Sequence, residues 1–238
     1  MNNLTEKNNK VFISGEIVTD AVFSHEVYGE GFYEMNVLVK RLSGQGDILP
    51  VTISERLISN GDLKVGSQIN ALGQFRSYNK LVDGKSKLML TVFVRELLED
   101  APLKNPNSIV LCGYICKPPI YRTTPFNREI ADILIAVNRS YNKSDYIPCI
   151  AWGRNARFAK NLAVGEKIAI SGRIQSREYQ KRINEDDVKI LTAYEVSISK
   201  LSAYENAENF DPDEEFNLLG TSNYHDVESS GQNDYAVE

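Results

Sequence analysis

The sequence predicts an all-β protein made of two similar small barrels in tandem, followed by a disordered acidic tail. Three observations lead to this prediction. Two segments of about 90 residues repeat one order of features, their strands alternate apolar and polar residues, and residues 201–238 hold acidic residues but no Lys or Arg. We place the first barrel in residues 9–100, the second in residues 105–202 and the tail in residues 203–238.

Each half opens with an alternating apolar strand that has a glycine at the same point. The strands are VFISGEIV, with Gly15, and IVLCGYIC, with Gly113. A second strand follows in each half, YEMNVLVKR and then IADILIAVNR. The third strands, ILPVTIS and YIPCIAW, carry Pro50 and Pro148 at the same place. β-branched and aromatic residues dominate these segments, which is typical of strands.

A short helical stretch follows each third strand, ERLISNGDL and then RNARFAKNLA. The next turn and strand keep one spacing in both halves, from Gly66 to Gly73 and from Gly165 to Gly172. A further alternating strand closes each half, and APLKNPNS links the two. Five strands with a helix between the third and fourth is the order of the OB-fold. An SH3-like barrel is the alternative, although such barrels lack a helix at that point.

The net charge of −5 hides a strong segregation of charge along the chain. Residues 1–103 carry −2, residues 104–200 carry +7 and residues 201–238 carry −10. Because a basic surface attracts polyanions, the second barrel is the predicted place for nucleic acid to bind. Charge alone is also compatible with ordinary variation between domains.

Aromatic residues lie where an OB barrel binds a strand, on the face of strands 2 and 3 and in the loops joining strands 1–2 and 4–5. Tyr146 and Trp152 are six residues apart in one strand, so alternation places both on one face. Tyr141 falls in the loop before that strand, and Tyr179 falls among basic residues near the last loop. Aromatic faces there would stack on unpaired bases. Packing in the core is the alternative role for Trp152, and packing on its own loop is that for Tyr179.

Basic side chains are predicted to converge on the same groove. Guanidinium groups pair with phosphate and also stack on bases. The predicted nucleic-acid-binding cations are Arg122, Arg139, Arg173, Arg177 and Lys181.

Residues 107–139, NSIVLCGYICKPPIYRTTPFNREIADILIAVNR, resemble the opening of the bacterial single-stranded DNA-binding protein family. The matching positions are Asn107, Gly113, Pro119, Arg122, Thr124-Pro125, Ala131 and Ala136-Val137-Asn138-Arg139. The resemblance covers roughly residues 105–200 well and residues 9–98 weakly. It implies base stacking by Tyr141, Tyr146, Trp152 and Tyr179, and phosphate contacts by Arg154 and Arg177. The chain has Tyr where relatives often have Trp.

The first half keeps the same frame but not the same surface. Ile48, Ser54 and Lys80 stand where the second half has Tyr146, Trp152 and Tyr179. Aromatic and basic residues retained near its own predicted face are Phe32, Tyr33, Phe75, Arg76 and Tyr78. An altered nucleic-acid site and a structural role are both open. The resemblance implies four barrels around one strand, and hence a homodimer.

The tail has the acidic character that the resemblance implies but not the expected ending. Family members often end in an acidic stretch closed by Pro-Phe, which docks onto replication and repair proteins, whereas this chain ends in DYAVE. The segment FDPDEEFNLL is a candidate internal substitute. The alternative is a solvated tail that competes with DNA for the basic groove.

The sequence carries no signature of an enzyme. His25 and His225 are isolated, and Cys112 and Cys116 lack the two-residue gap of a zinc knuckle. No phosphate-binding or dinucleotide-binding glycine motif is found, and the run at 185–187 fits a solvated turn better than a magnesium site.

Three cysteines, no secretory signal and no apolar span predict a cytoplasmic chain without a membrane segment. We therefore predict a single-stranded DNA-binding protein of replication, recombination or repair, with no catalytic activity, cofactor or metal. The alternatives are an RNA- or tRNA-binding OB module and a replication-accessory scaffold that binds proteins.

Overall fold

The computed structural model describes residues 8–41, 43–59, 63–82, 84–101, 105–182, 188–203, 214, 216 and 217. Within them, the first half has the elements β1 (Asn9–Ile17), β2 (Val22–Val27), β3 (Glu30–Lys40), β4 (Gly46–Ser54), α1 (Glu55–Ser59), β5 (Gln68–Val82) and β6 (Lys85–Leu98). The second half repeats them as β7 (Asn107–Ile115), β8 (Ile120–Thr123), β9 (Glu129–Arg139), β10 (Lys143–Trp152), α2 (Gly153–Ala159), β11 (Lys167–Arg182) and β12 (Val188–Ala203).

Five strands close a barrel in each half. The first barrel runs β3–β4–β6–β5–β1 and closes where β1 pairs with β3, and its β4 and β6 are parallel. The second runs β9–β10–β12–β11–β7, closes where β7 pairs with β9, and has β10 and β12 parallel. A helix lies between the third and fourth barrel strands of each. This is the predicted OB-fold order.

One short strand in each half was not expected from the sequence. β2 pairs with β3, and β8 pairs with β9, at the two ends of the strand order. Every residue of β2 is exposed, so the strand has no apolar face and gives no alternating signal. The turn between β2 and β3 has Tyr28 and Gly29 at φ values of 53° and 82°, as tight hairpin turns require.

The two barrels form one continuous twelve-stranded sheet because β1 pairs antiparallel with β7. An asparagine at the start of each strand ties it to its own barrel. The Asn9 side chain donates to the Phe75 carbonyl at 2.8 Å and accepts from the Phe75 N–H at 2.9 Å. Asn107 does the same with Ile174, at 2.6 and 2.9 Å. The repeat seen in the sequence is thus also a repeat of polar contacts.

A second pair of contacts crosses between the barrels and joins each to the other. The carboxylate of Asp47, in the first barrel, accepts the Ser176 N–H of the second barrel at 2.8 Å. The carboxylate of Asp145, in the second barrel, accepts the Ser77 N–H of the first at 2.7 Å. Both aspartates are buried, with 0% and 1% of their surface exposed. We call these two carboxylates and their partners the inter-barrel lock.

Glycines occupy the points where β5 and β11 bend. The pairing register of each shifts there, between Leu72 and Gly73 and between Ser171 and Gly172. A Cβ atom on Gly73 would lie 2.2 Å from the Phe93 carbonyl oxygen, and one on Gly172 would lie 2.1 Å from that of Ser197. The matched glycine spacing in the sequence therefore marks two matched close approaches of backbone.

Gly172→Ala should lower the free energy of unfolding by about 1–3 kcal/mol, because the backbone of β12 must move away from the new methyl group. Urea unfolding followed by circular dichroism measures this change. Gly84→Asn is the control, since Gly84 has a φ of 73°, which Asn tolerates, and a Cβ atom added there would meet nothing within 4 Å. Equal midpoints for the two variants would contradict the close approach at Gly172.

Most of the predicted tail lies outside the described residues, and so do His225 and the acidic run at 185–187. Of the segment FDPDEEFNLL, the residues at 214, 216 and 217 are described. Phe216 is 2% exposed and packs on Phe12 and Val110, on the outer side of the β1–β7 pair. The Lys10 ammonium lies 4.7 Å from its ring centroid.

Candidate nucleic-acid interface

Strand β10 separates its side chains as the sequence predicted. Ile147, Cys149 and Ala151 are buried in the core of the second barrel. Tyr146 and Trp152 lie on the other face, and Tyr146 is 48% exposed while Trp152 is half-buried. We call this side of β8–β12, which points away from the core, the outer face of the second barrel.

Pairing across the sheet sets the neighbours of the two rings on the outer face. Trp152 stands opposite Ile130 of β9, and Ile130 stands opposite Arg122 of β8. Arg122 lies in strand β8 and pairs with Asp132, with 3.1 Å between Nε and Oδ2. Tyr146 stands opposite Ala136, a small residue, and about half of its surface is exposed. Trp152 and Arg122 thus share one cross-strand row.

Tyr141 sits in the turn between β9 and β10 and is 94% exposed. Tyr141 and Asn142 have φ values of 62° and 53°, both in the left-handed region. A bulky residue seldom adopts this conformation, because it costs on the order of 1 kcal/mol or more. The turn therefore holds a strained backbone while projecting an aromatic ring into solvent.

The hairpin of β11 and β12 extends the outer face. Arg173, Arg177, Tyr179 and Lys181 alternate along one side of β11. The Arg177 guanidinium lies 5.9 Å from the Tyr179 ring centroid and 3.7 Å from the Glu195 carboxylate. The guanidinium is thus at the outer limit of a cation–π contact with the ring.

Arg154 and Arg139 occupy different settings. Arg154 is exposed in the first turn of α2, two residues after Trp152 and next to the outer face. Arg139 lies on the opposite side of β9, in register with the core residues, and its guanidinium is 3.4 Å from Asp145 in the inter-barrel lock. The structure therefore brings the predicted cations around the rings except for Arg139, which is engaged between the barrels.

A cleft of about 700 Å³ lies between the barrels, beside the β5–β6 and β11–β12 hairpins. Tyr78, Tyr179 and Tyr194 line it. The Tyr78 hydroxyl donates to Glu34 at 3.1 Å, and burial together with this carboxylate raises the pKa of Tyr78 to about 12. Burial also raises the pKa of Tyr194. Both phenols thus stay neutral at physiological pH and can act as stacking surfaces.

The outer face of the first barrel holds a cluster that the sequence predictions only partly included. Phe32 and Arg76 were among its retained residues, whereas His25, Phe93 and Arg95 were not. The rings of His25 and Phe32 stack at 5.1 Å, and those of Phe32 and Phe93 are 5.6 Å apart. Phe75 is instead buried in the core. The alternation of Thr91, Phe93 and Arg95 along β6 is the signal that could have identified this cluster.

The described residues offer little support for metal binding or for a reactive thiol. No three His, Cys, Asp or Glu side chains there are grouped closely enough to hold a metal ion. Burial raises the pKa of the Cys112, Cys116 and Cys149 thiols, which disfavours the thiolate that binds metals. None of the described helices is long and apolar enough to cross a membrane.

Five barrel strands with a helix between the third and fourth place the second half among the OB-folds. Residues 106–202 match the model of the single-strand binding protein family. The resemblance seen in the sequence is confirmed there.

Two relatives show the extent of the likeness. The chain is 36% identical over 83 residues to single-stranded DNA-binding protein 1 of Staphylococcus aureus strain COL, which covers 32% of this chain and 50% of that protein. It is 34% identical over 83 residues to single-stranded DNA-binding protein A of Bacillus subtilis strain 168, covering 32% and 48%. The chain spans about half the length of the curated relatives it matches.

A solved structure extends the fold comparison to both barrels. The wild-type single-stranded DNA binding protein from Thermus aquaticus matches with a TM-score of 0.63 and 20% identity, over 82% of this chain and 92% of that one. The predicted tandem OB-fold is thereby confirmed as a fold.

Proposed function

We propose that this chain binds single-stranded DNA without catalysing a reaction, and coats and protects it during replication, recombination or repair. The outer face of the second barrel carries this proposal, because Tyr146 and Trp152 project from the same face of β10 and Arg122 and Arg154 lie near Trp152. Six residues along a strand place the two rings about 20 Å apart, so they would stack on separate unpaired bases while the guanidinium groups follow the phosphates. The family match of residues 106–202 supports the same ligand.

The net charge of +7 on residues 104–200 gives the proposal an electrostatic consequence. Each neutralised phosphate releases counterions, so affinity for a single strand should fall with salt at a logarithmic slope of about −0.7 per contact. Base stacking, in contrast, is uncharged and depends little on salt. The free energy of binding should therefore contain a salt-sensitive contribution from phosphate contacts and a salt-insensitive contribution from stacking.

Titration of the full chain with oligo-dT, oligo-U and duplex DNA at two salt concentrations tests the proposal. We expect tight, salt-sensitive binding of oligo-dT with quenching of Trp152 fluorescence. Preference for oligo-U would indicate an RNA-binding module, and weak binding of all three probes would indicate a protein-interaction scaffold. Weak oligo-dT binding with unquenched Trp152 fluorescence would overturn the proposal.

Trp152→Ala should weaken oligo-dT binding by about 1–3 kcal/mol, the usual loss when one stacked base loses its platform. Fluorescence anisotropy of a labelled oligonucleotide measures the affinity without the Trp152 signal. Phe158→Ala is the matched control, because Phe158 is an aromatic residue of α2 that is 42% exposed and is not part of the outer face. Equal losses in the two variants would argue against stacking by Trp152.

The same proposal assigns an assembly to the protein and a role to each part of the chain. Two barrels per chain support a homodimer that presents four barrels, which light scattering would report as twice the mass of one chain. We assign nucleic acid binding chiefly to residues 105–202, assembly to residues 9–100, and contacts with replication or repair proteins to the tail at 203–238. A chain that coats DNA during replication is placed in the cytoplasm.

A further inference from the structure

Phe93 lies between two arginines on the outer face of the first barrel. The Arg76 guanidinium is 3.8 Å from its ring centroid, and that of Arg95 is 5.5 Å away. Phe93 is half-buried and Arg95 is exposed, so the cluster reaches the surface. Phe32 and His25 continue the row of rings toward β2, with His25 exposed. Rings and cations therefore alternate over one surface, as on the second barrel.

The two arginines of this cluster have one carboxylate nearby among the described residues, that of Asp145, which also pairs with Arg139. Arg76 donates from Nη2 to the neutral Gln74 side chain at 2.9 Å, and its buried Nε has no hydrogen-bond partner in the described part of the chain. Burial, with the neighbouring charges of Arg95 and Arg139, lowers the pKa of Arg76 to about 10, although Asp145 acts in the opposite direction. Two like charges this close favour a bound anion.

Register shows that this cluster is not a copy of the platform in the second barrel. Ser54 occupies the place of Trp152, since Thr52 pairs with Phe93 just as Ile150 pairs with Ser197. The first barrel thus has no ring at the Trp152 position. It has Phe93 where the second barrel has only a serine.

The inter-barrel cleft connects the two surfaces. Tyr78 follows Arg76 by two residues on the same face of β5, and it lines the cleft together with Tyr179 of the second barrel. A strand stacked on Tyr179 can therefore pass Tyr78 and reach Phe93 without crossing the barrel core.

We propose that Phe93, Arg76 and Arg95 form a second nucleotide subsite, in which Phe93 stacks on a base and the two arginines hold the adjoining phosphate of a single-stranded nucleic acid. This inference rests on the proposed function. It assigns the first barrel a relocated binding platform instead of a purely structural role.

Oligonucleotide length separates this subsite from the second barrel. We expect Phe93→Leu and Arg95→Gln, in the full chain, to weaken binding of an oligo-dT of about 30 nucleotides by about fivefold or more. An oligo-dT of about 8 nucleotides, within the range that one OB-fold covers, should bind as it does to the unaltered chain. Arg95→Gln should also reduce the logarithmic salt slope for the long probe by about 0.7, the value for one phosphate contact.

Arg56→Gln is the matched control, because Arg56 is an exposed arginine of α1 in the same barrel. It should leave affinity for both lengths unchanged. Arg95→Gln alters an exposed side chain and is not expected to affect folding, so it tests the subsite even if Phe93→Leu is unstable. Unchanged long-probe affinity and salt slope for Arg95→Gln would overturn the inference. Failure of the unaltered chain to bind either probe would instead overturn the proposed function.

Discussion

Asp47→Ala should lower the free energy of unfolding by about 3–4 kcal/mol, the loss expected when one partner of a buried ion pair is removed. The Asp47 carboxylate is fully buried and receives two bonds from Arg41, both at 2.7 Å. It also accepts the Ser176 N–H of the other barrel. Alanine would remove the carboxylate beside the Arg41 charge and the acceptor of that N–H, and water could not replace them fully in a buried site.

Urea unfolding measures the loss, and Asp47→Asn is the control. The amide keeps an oxygen for the Ser176 N–H but removes the charge, so its cost separates the hydrogen bond from the ion pair. Because Asp47 is one of the contacts that join the barrels, the alanine variant should also make their unfolding less cooperative. One cooperative transition with a loss below about 1 kcal/mol, typical of an exposed pair, would show that Asp47 does not hold the barrels together.

Asp145, the matching residue of the second barrel, makes the stability of the fold depend on pH. Burial raises the pKa of its carboxyl, although the Ser77 N–H and the Arg139 and Arg76 charges act against this rise. A native pKa above the unfolded value means that the folded chain binds the proton more tightly. Its contribution to stability is therefore fully present below the unfolded pKa and is lost as pH rises through the native pKa. Asp145→Asn should remove this dependence.

The repeat explains why the barrels could be predicted from the sequence. Gly73 and Gly172 stand at equal distances from their preceding turns because each marks a bend where two backbones touch. Alternation in β10 placed Tyr146 and Trp152 on one face because the other face had to fill the core. These predictions depend on local spacing and on which side of a strand is buried.

Contacts between distant segments could not be predicted in the same way. Arg139 ends an apolar strand as a DNA-contacting arginine would, and it pairs with Asp145 across the β9–β10 hairpin. Only the packing of the two barrels shows that Asp145 is buried against Ser77 of the first barrel. In the sequence, Phe93 is one apolar residue among others in a closing strand. Only the structure shows that the Arg76 guanidinium lies over its ring. β2 lacks a buried face altogether, so its sequence carries no strand pattern.

The second large effect should come from removing all four predicted base platforms of the second barrel together. Alanine at Tyr141, Tyr146, Trp152 and Tyr179 should weaken oligo-dT binding by about a thousandfold or more, since each stacked base contributes about 1–3 kcal/mol. The loss should be less than the sum of the four single losses if the strand moves between neighbouring rings. Anisotropy of a labelled oligonucleotide measures it, with circular dichroism as the test of folding.

Salt dependence distinguishes stacking from charge in this variant. The four substitutions remove no cation, so the affinity should fall at every salt concentration while the logarithmic slope keeps its value. The complementary variant, Arg154→Gln with Lys181→Gln, keeps every ring and should reduce the slope by about 1.4, or about 0.7 for each lost phosphate contact. If the ring variant also lost slope, the rings would be positioning the cations rather than binding bases. The outer face would then be chiefly an electrostatic surface, and the preference for unpaired strands would have to come from the shape of the barrel.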